Sequence, residues 1–473
     1  MRLELNGKIN GTYVQTLCAM FFHGEKFPKD SSKEERILRV TTTDTENGIN
    51  CNCEFIVDGK ASKGTGYCEF YEGESYERTS KTAVGKAVYE AGTKLTGKSI
   101  PWGILTGIRP SKVANELILK YGEQKAHEIL MERYLLSREK STLAIKVAKN
   151  EYSILSLGKD NTCSIYISIP FCPSRCTYCS FISYATPKLF SLIPNYLKKL
   201  ILDIKKTFDD IKKQGLKVIS IYIGGGTPTT LDENQLELLL AEIAKHIDTE
   251  HLLEFTLEAG RPDTITEKKL SVAKKCGVTR ISINPQTLND EVLEIIGRKH
   301  TAKQFLDAYG LVQNSKIDHI NTDLIAGLEG DTFESFKETI DKIVTLGPDN
   351  ITVHSFCVKK SAQVLKDNES IYDKYDIDAV KSVKYAYDIL TQNGYEPYYM
   401  YRQKNTISDL ENVGYAKKDA FGIYNVLMMA DAHTVYGIGA GATTKIVKKE
   451  NGILQINRIF SPKYPYEYLQ DKQ

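Results

Sequence analysis

From about residue 160 the chain alternates short, apolar, β-branched runs with longer segments of helical spacing, and this alternation constrains the fold more than any other feature. A strand followed by a helix, several times over, is the pattern of a parallel sheet, because each crossover must return the chain to the same end before the next strand starts. Ser164–Pro170 (SIYISIP) reads as the first strand, and Leu189–Gln214 carries Leu192, Ile193, Tyr196, Leu197, Leu200, Ile201 and Ile204 at helical spacing. Further strands are predicted at Lys217–Ile223, Leu252–Glu258, Thr279–Asn284, Ile317–Ile325 and Asn350–Phe356, each but the last clearly followed by a helical segment. Six such strands predict an α/β fold with a partial (βα)6 barrel of the TIM type over residues 151–380. In such barrels chemistry gathers where the carboxyl ends of the strands meet the following loops.

Residues 1–150 read as a separate α+β domain, with short strands at Ile37–Thr43 and Cys51–Asp58 and helices at Thr82–Thr93 and Ser111–Tyr121. Residues 381–473, which contain Tyr395–Arg402 and the glycine-rich Gly437–Ala442, read as a small C-terminal domain. Lys and Arg number 62 against 60 Asp and Glu, so there is no global positive field to gather nucleic acid or anionic lipid. No run approaches the roughly 18 apolar residues of a membrane span, and the amino terminus is charged from Arg2, so a cytoplasmic protein with no nucleic-acid or membrane partner is expected. In that compartment the ten cysteines are expected to be thiols or metal ligands and not a disulfide framework.

Three of them stand directly after the first barrel strand, as Cys172-Pro-Ser-Arg-Cys176-Thr-Tyr-Cys179. Three neighbouring thiolates can hold three irons of a cubane, and the absence of a fourth nearby cysteine leaves one iron open to another ligand. That is the arrangement of a radical S-adenosylmethionine (SAM) centre, in which SAM chelates the open iron of a [4Fe-4S] cluster. Buried or zinc-binding cysteines are the plainer alternative. One βα unit later comes Gly224-Gly225-Gly226-Thr227-Pro228, where glycine lets a ligand approach the backbone and fits the methionine end of SAM. A tight βα turn explains the same glycines. Glu258, Gln286 and Asp323 lie at or near strand ends, with Arg298 on the intervening helix. Polar groups in apolar strands are costly unless paired or ligand-bound, so as a set at one barrel mouth they read as a cofactor site, and singly as structural hydrogen bonds.

These residues resemble the oxygen-independent coproporphyrinogen III oxidase family of radical SAM proteins, most closely its HemZ-type branch. The resemblance rests on Tyr166-Ile-Ser-Ile-Pro-Phe-Cys172, Gly224-Gly-Gly-Thr-Pro-Thr229, Ile281-Ser-Ile-Asn-Pro-Gln286, Gly297-Arg-Lys-His300 and Asn321-Thr-Asp-Leu-Ile-Ala-Gly327. Pro101-Trp-Gly-Ile-Leu-Thr-Gly-Ile-Arg-Pro110, Tyr399-Met-Tyr-Arg-Gln-Lys-Asn405 and Glu411-Asn-Val-Gly-Tyr415 look like segments that recur in that branch. The resemblance implies a [4Fe-4S] cluster on Cys172, Cys176 and Cys179, with SAM as cofactor. It places Tyr166, also implied as catalytic, and Tyr178 beside cluster and SAM, and Gly225, Gly226 and Thr227 at the methionine. Glu258 would accept from ribose hydroxyls, and Gln286, Arg298 and Asp323 would complete the SAM contacts. Cys357 would approach a second SAM, or stands as a buried thiol. The implied partners are a tetrapyrrole substrate, a low-potential electron donor and an electron acceptor, and the implied reaction is oxidative decarboxylation of coproporphyrinogen III. Two departures stand out: Ser168 occupies a histidine position of the well-studied oxidase branch, and Ser180-Phe181 replaces its further cysteine.

Four other features have two readings each. Gly437-Ile-Gly-Ala-Gly441 lacks the spacing of a dinucleotide loop and reads as a close-packed turn over the active site. Arg402, Gln403 and Lys404 read as a patch for substrate carboxylates or as a solvated strand end. Cys18, Cys51, Cys53 and Cys68 read as core thiols or, less simply, an auxiliary metal site. His354 and His433 read as structural histidines or as substrate or haem ligands.

Overall fold

The structure, a computed structural model, describes residues 1–473 except 29–33, 160, 180–186, 358–370, 404–405, 451–452 and 471–473. It divides into two units: Met1–Lys149 with Tyr401–Asp409, and Asn150–Met400 with Leu410–Gln473.

The first unit holds a four-stranded sheet of β1 (Arg2–Asn6), β2 (Ile37–Asp44), β3 (Gly48–Val57) and β4 (Lys60–Glu69) in that order, with β1 parallel to β2 and the rest antiparallel. β3 alternates buried Ile49, Cys51, Cys53, Phe55 and Val57 with more exposed residues, so one face is covered. The cover is the helix Tyr76–Thr96. Its Ala83, Ala87 and Ala91 meet Gly64 and Gly66 of β4 so closely that a Cβ on Gly66 would lie 2.0 Å from the Ala83 carbonyl oxygen. Small residues on both partners let helix and strand backbones touch.

The second unit carries β5 (Thr162–Ile169), β6 (Lys217–Gly225), β7 (Glu254–Glu258), β8 (Arg280–Ser282), β9 (His319–Ala326) and β10 (Asn350–Ser355), six parallel neighbours in sequence order. Each matches a predicted strand, and the helix Ile193–Lys213 buries the predicted stripe of Tyr196, Leu197, Leu200 and Ile204. The sheet is open. On one side β12 (Glu411–Ala416) runs antiparallel to β10, with β11 (Glu396–Arg402) beyond it. On the other, β13 (Thr434–Ile438) adds a seventh parallel strand beside β5, followed by the hairpin of β14 (Thr443–Glu450) and β15 (Ile453–Phe460). The chain after residue 381, read in sequence as a domain of its own, thus supplies five strands of this one sheet. Its glycine run is half strand and half turn. Gly437 lies in β13, and the turn after it packs on the end of β5, where Ser168 Oγ donates to the Ala440 carbonyl at 2.8 Å.

The six central strands bury both faces, but the two faces differ. Ile165, Ile167, Ile221, Ile223, Phe255, Leu257, Ile281, Leu324, Ile351 and Val353 occupy one set of alternate positions. The other set is polar: Ser164, Tyr166 and Ser168, then Ser220 and Tyr222, Glu254, Thr256 and Glu258, Arg280 and Ser282, Asn321 and Asp323, Thr352 and His354. Among the described residues no helix is long and apolar enough to cross a membrane.

Replacing Gly66 by Ala is expected to destabilise the protein by about 2–4 kcal/mol, because a backbone contact would have to open. Gly107, where an added methyl group would have nothing within 4 Å and φ is unstrained, is expected to accept Ala within about 1 kcal/mol. Urea unfolding of the two variants checks both, and equal midpoints would contradict the close-packed interface.

Candidate cofactor site at the carboxyl ends of the strands

β5 ends at Ile169, and Phe171 anchors the loop that follows by standing edge-on to Tyr196 at 5.3 Å. The cysteine loop and the glycine loop are then laced together. Gly226 N–H donates to the Ile169 carbonyl at 2.8 Å and Thr227 N–H to the Phe171 carbonyl at 2.7 Å, while Thr227 Oγ1 lies 3.3 Å from Cys172 Sγ. A Cβ on Gly226 would stand 2.6 Å from the Phe171 carbonyl oxygen, and Gly225 has φ +107°, which an L side chain resists. The glycines therefore serve first to let β6 pass against the base of the cysteine loop, and the Gly226 and Thr227 amides are used in doing so.

Further along, Cys179 N–H closes a turn on the Cys176 carbonyl at 3.2 Å, Thr177 N–H donates to Ile296 at 3.0 Å, and Ser174 Oγ accepts from Arg261 at 2.6 Å. All three cysteines are half-buried and stand outside any disulfide. Among the described residues their sulfurs form no group within 4.8 Å of one another. Three thiols on one short loop are a donor set that suits iron–sulfur ligation with one metal position left to another ligand. The predicted departure at Ser180 and Phe181 lies outside the described residues.

Arg298, 9% exposed, ties this loop to two strand ends. Its Nη1 donates to the carbonyls of Gly260 (3.1 Å) and Asn284 (2.6 Å), and its Nε reaches the Tyr178 hydroxyl at 3.3 Å. Burial holds the Tyr178 phenol protonated well above its usual range. Tyr166 of β5 lies near-parallel to Tyr222 and to Tyr424, at 6.2 and 6.3 Å between centroids. The Tyr222 hydroxyl donates to Glu258.

The two carboxylates of the mouth are pushed apart. Burial, with the charge of Asp323 adding to it, raises Glu258 to about 7 against the hydrogen bonds from Tyr222 and Gly225. Burial also opposes ionisation of Asp323, but His354, with Nε2 3.9 Å away, and the Asn321 amide, at 2.9 Å, outweigh it and hold that carboxyl below its ordinary value. Gln286 sits at φ +71°, a left-handed conformation that costs a non-glycine residue about 1 kcal/mol, held by hydrogen bonds from its N–H to Asp323 and from Ile325 N–H to its carbonyl.

The structure thus brings Cys172, Cys176, Cys179, Tyr166, Tyr178, Gly225, Gly226, Thr227, Glu258, Gln286, Arg298 and Asp323 to the carboxyl ends of β5 to β9. Cys357 lies just past β10, five strands along from β5. Sequence reasoning passed over four members of this region: Tyr222, Arg261, Asn284 and Tyr424. Tyr222 had a signal, since it interrupts the isoleucines of its strand two residues before Gly224, and the structure pairs it in register with Tyr166. Arg261 and Asn284 follow strand ends, whereas Tyr424 comes from a distant helix and had none.

Other candidates resolve into structure. His433 has both ring nitrogens engaged, by Ser164 at 2.7 Å and Thr162 at 3.3 Å. Arg402 is 7% exposed: its guanidinium donates to the Leu105 carbonyl, lies 5.4 Å over Trp102, and its N–H meets Ile108 at 2.7 Å. It holds the Pro101–Pro110 segment in the first unit; Lys404 of the same predicted patch lies outside the described residues. Cys18, Cys51, Cys53 and Cys68 are buried, and burial pushes the first two thiols up to about 12.

Comparison with known proteins bears on this region directly. The family model of the radical SAM superfamily matches residues 166–343. Over 95% of its length the chain is 35% identical to the oxygen-independent coproporphyrinogen-III oxidase-like protein HemZ of Bacillus subtilis, covering 89% of that protein. It is also 32% identical to the heme chaperone HemW of Lactococcus lactis, over 59% of this chain and 69% of that one. Among solved structures, the coproporphyrinogen III oxidase HemN of Escherichia coli superposes with a TM-score of 0.52 at 21% identity, over 68% of this chain and 71% of that one, and so shares the fold.

Glu258 makes the cofactor-free protein pH-sensitive. Unfolded, its carboxyl ionises near 4.5; folded, near 7. Folding is unpenalised below pH 4.5, loses stability as pH rises from about 4.5 to about 7, and is then level, for a total of up to about 3 kcal/mol. Glu258→Gln is expected to remove this decline, so variant and parent diverge with rising pH in chemical denaturation. Parallel curves would contradict the assignment.

Proposed function

The chain belongs to the oxygen-independent coproporphyrinogen-III oxidase-like group of the radical SAM superfamily, whose members use a [4Fe-4S] cluster and SAM, and we propose that it oxidatively decarboxylates coproporphyrinogen III to protoporphyrinogen IX without oxygen. The observation that carries this reading is the 35% identity to HemZ across 95% of the chain, joined to a mouth whose cysteine loop, glycine loop and polar strand ends are all in place. The cluster and SAM, if bound at this mouth, would supply the one-electron chemistry that the removal of a hydrogen atom from a propionate side chain requires.

The protein's own part is placement. Cys172, Cys176 and Cys179 hold the cluster and leave one iron for SAM. Arg298, fixed by two carbonyls, keeps Tyr178 and the loop in register with β7 and β8. Asp323 stays ionised and offers negative charge to a cationic ligand, while Glu258, near half-protonated at neutral pH, both donates to and accepts from ribose hydroxyls. Gln286 completes the SAM contacts, Gly225, Gly226 and Thr227 border its methionine, and Tyr166 lies beside it as the residue nearest the chemistry. Cys357 borders a second SAM. The tetrapyrrole then lies over the mouth, with a low-potential donor to reduce the cluster and an acceptor to take the electron left on the substrate.

Ser168 favours a second reading. It replaces a histidine of the oxidase branch with a hydroxyl that donates to the Ala440 carbonyl and also meets Tyr166, so no imidazole stands at this position. The substitution weighs against the oxidase chemistry, and the 32% identity to HemW makes a haem-binding chaperone that keeps the cluster the second reading.

Anaerobic incubation with coproporphyrinogen III, SAM and dithionite separates the two. The oxidase reading expects vinyl products with 5′-deoxyadenosine, both lost in Cys176→Ala. Deoxyadenosine without vinyl product, together with stoichiometric haem binding, would contradict it and support the chaperone.

A further inference from the structure

The helix Ile423–Ala430 starts at Gly422, which has no side chain to cap it, yet its first amides are satisfied from elsewhere. Ile423 N–H donates to Glu254 Oε2 at 2.9 Å and Tyr424 N–H to Glu254 Oε1 at 3.2 Å. Glu254 opens β7 at the amino ends of the strands, opposite the cofactor mouth, and is 4% exposed. Its carboxylate is paired with Arg280 of β8, whose Nε lies 3.2 Å from Oε2. The same guanidinium extends Nη2 to the carbonyls of Ala420 (2.9 Å) and Phe421 (3.3 Å), which lead into the helix. One buried ion pair therefore grips both sides of the turn that delivers Tyr424. Its ring stacks on Tyr222 at 4.6 Å between centroids and 24° between planes, and lies near-parallel to Tyr166.

A buried ion pair of this kind adds little net stability over well-packed apolar residues, although removing one partner is costly. What the pair provides here is geometry. It reads the helix start, at its positive end, from a strand that also carries Glu258 four residues on. A cavity of about 10 Å3 lined by Thr256, Arg280, Asn350 and Asn425 adjoins it, room for one water beside the charges.

We propose that Glu254 and Arg280 are positioning residues for the cofactor site: from the closed end of the strands they fix Tyr424, and through the stack of Tyr424 on Tyr222 they fix the ring of Tyr166. The inference rests on the reading of Tyr166 as a SAM neighbour. Neither residue touches the reacting groups.

Two measurements on the full chain test it. Hydrogen exchange on the cofactor-free protein is expected to quicken at least tenfold over residues 420–426 in Glu254→Gln, with β5 unchanged. After cluster reconstitution, the Kd for SAM is expected to rise about tenfold in Glu254→Gln and in Tyr424→Ala, and no further in the double variant, because the pair acts through Tyr424. Arg280→Lys, which keeps the charge and loses the fork, is expected to lie between parent and Glu254→Gln, and serves if the latter does not fold. Additive losses in the double variant, or an unchanged Kd in Glu254→Gln beside a raised one in Tyr424→Ala, would overturn the positioning role. An unchanged Kd in Tyr424→Ala would overturn it together with the reading of Tyr166. No tetrapyrrole is used, so the substrate assignment fails or stands separately.

Discussion

A polar side chain on a parallel sheet covered on both faces must find a partner, and this requirement organises the second unit. One face of β5 to β10 is aliphatic and packs like any core. The other carries polar residues at alternate positions on every strand, which would be prohibitive if they were left unpaired. Several are paired with one another: Tyr222 with Glu258, Asn321 with Ser282 and Asp323, Ser282 with Asn284, and Glu254 with Arg280, while the buried Thr256 hydroxyl and Arg280 Nη1 have no hydrogen-bond partner among the described residues. The network runs from the amino ends of the strands to the mouth, where half-buried Tyr166, Glu258, Asp323 and His354 remain able to meet a ligand. The polar row is costly to build, and its hydrogen bonds leave a lining that is oriented before any ligand arrives.

The cysteine loop depends on that lining. A loop proposed to hold several irons cannot be left to its own turn propensities, and this one is tied down along its length. The glycine loop holds Ile169 and Phe171 at its start, Arg261 holds Ser174, and Arg298 holds Tyr178 near its end. The close passage of β6 at Gly226 has a steric reason that stands whether or not the same glycines also border SAM.

The fold of the central strands was legible because each is a local apolar run with a helix behind it, and the three cysteines were legible because their spacing is local too. What escaped reading comes together only through tertiary structure. β13 is a five-residue strand that ends in glycines with no helix after it, so it carried no βα pattern. Tyr424 reaches the stack from a helix whose cap is supplied by Glu254, about 170 positions earlier. Arg402 read as part of a carboxylate patch or of a solvated strand end with Gln403 and Lys404, because nothing near it in sequence reveals that Trp102 covers it. Glu258 and Asp323 were recognised as a set, but their opposite ionisation follows from burial and from His354, which spacing does not show.

The central claim is that Cys172, Cys176 and Cys179 hold a [4Fe-4S] cluster with one iron left for SAM. Mössbauer and electron-nuclear double resonance spectroscopy of the anaerobically reconstituted chain, with and without SAM labelled with 15N at its amino group, tests it most directly. The account predicts four irons per chain, one of which changes on SAM addition and shows coupling to the labelled nitrogen. A cluster whose irons are indifferent to SAM, or one that survives Cys172→Ala unchanged, would contradict it.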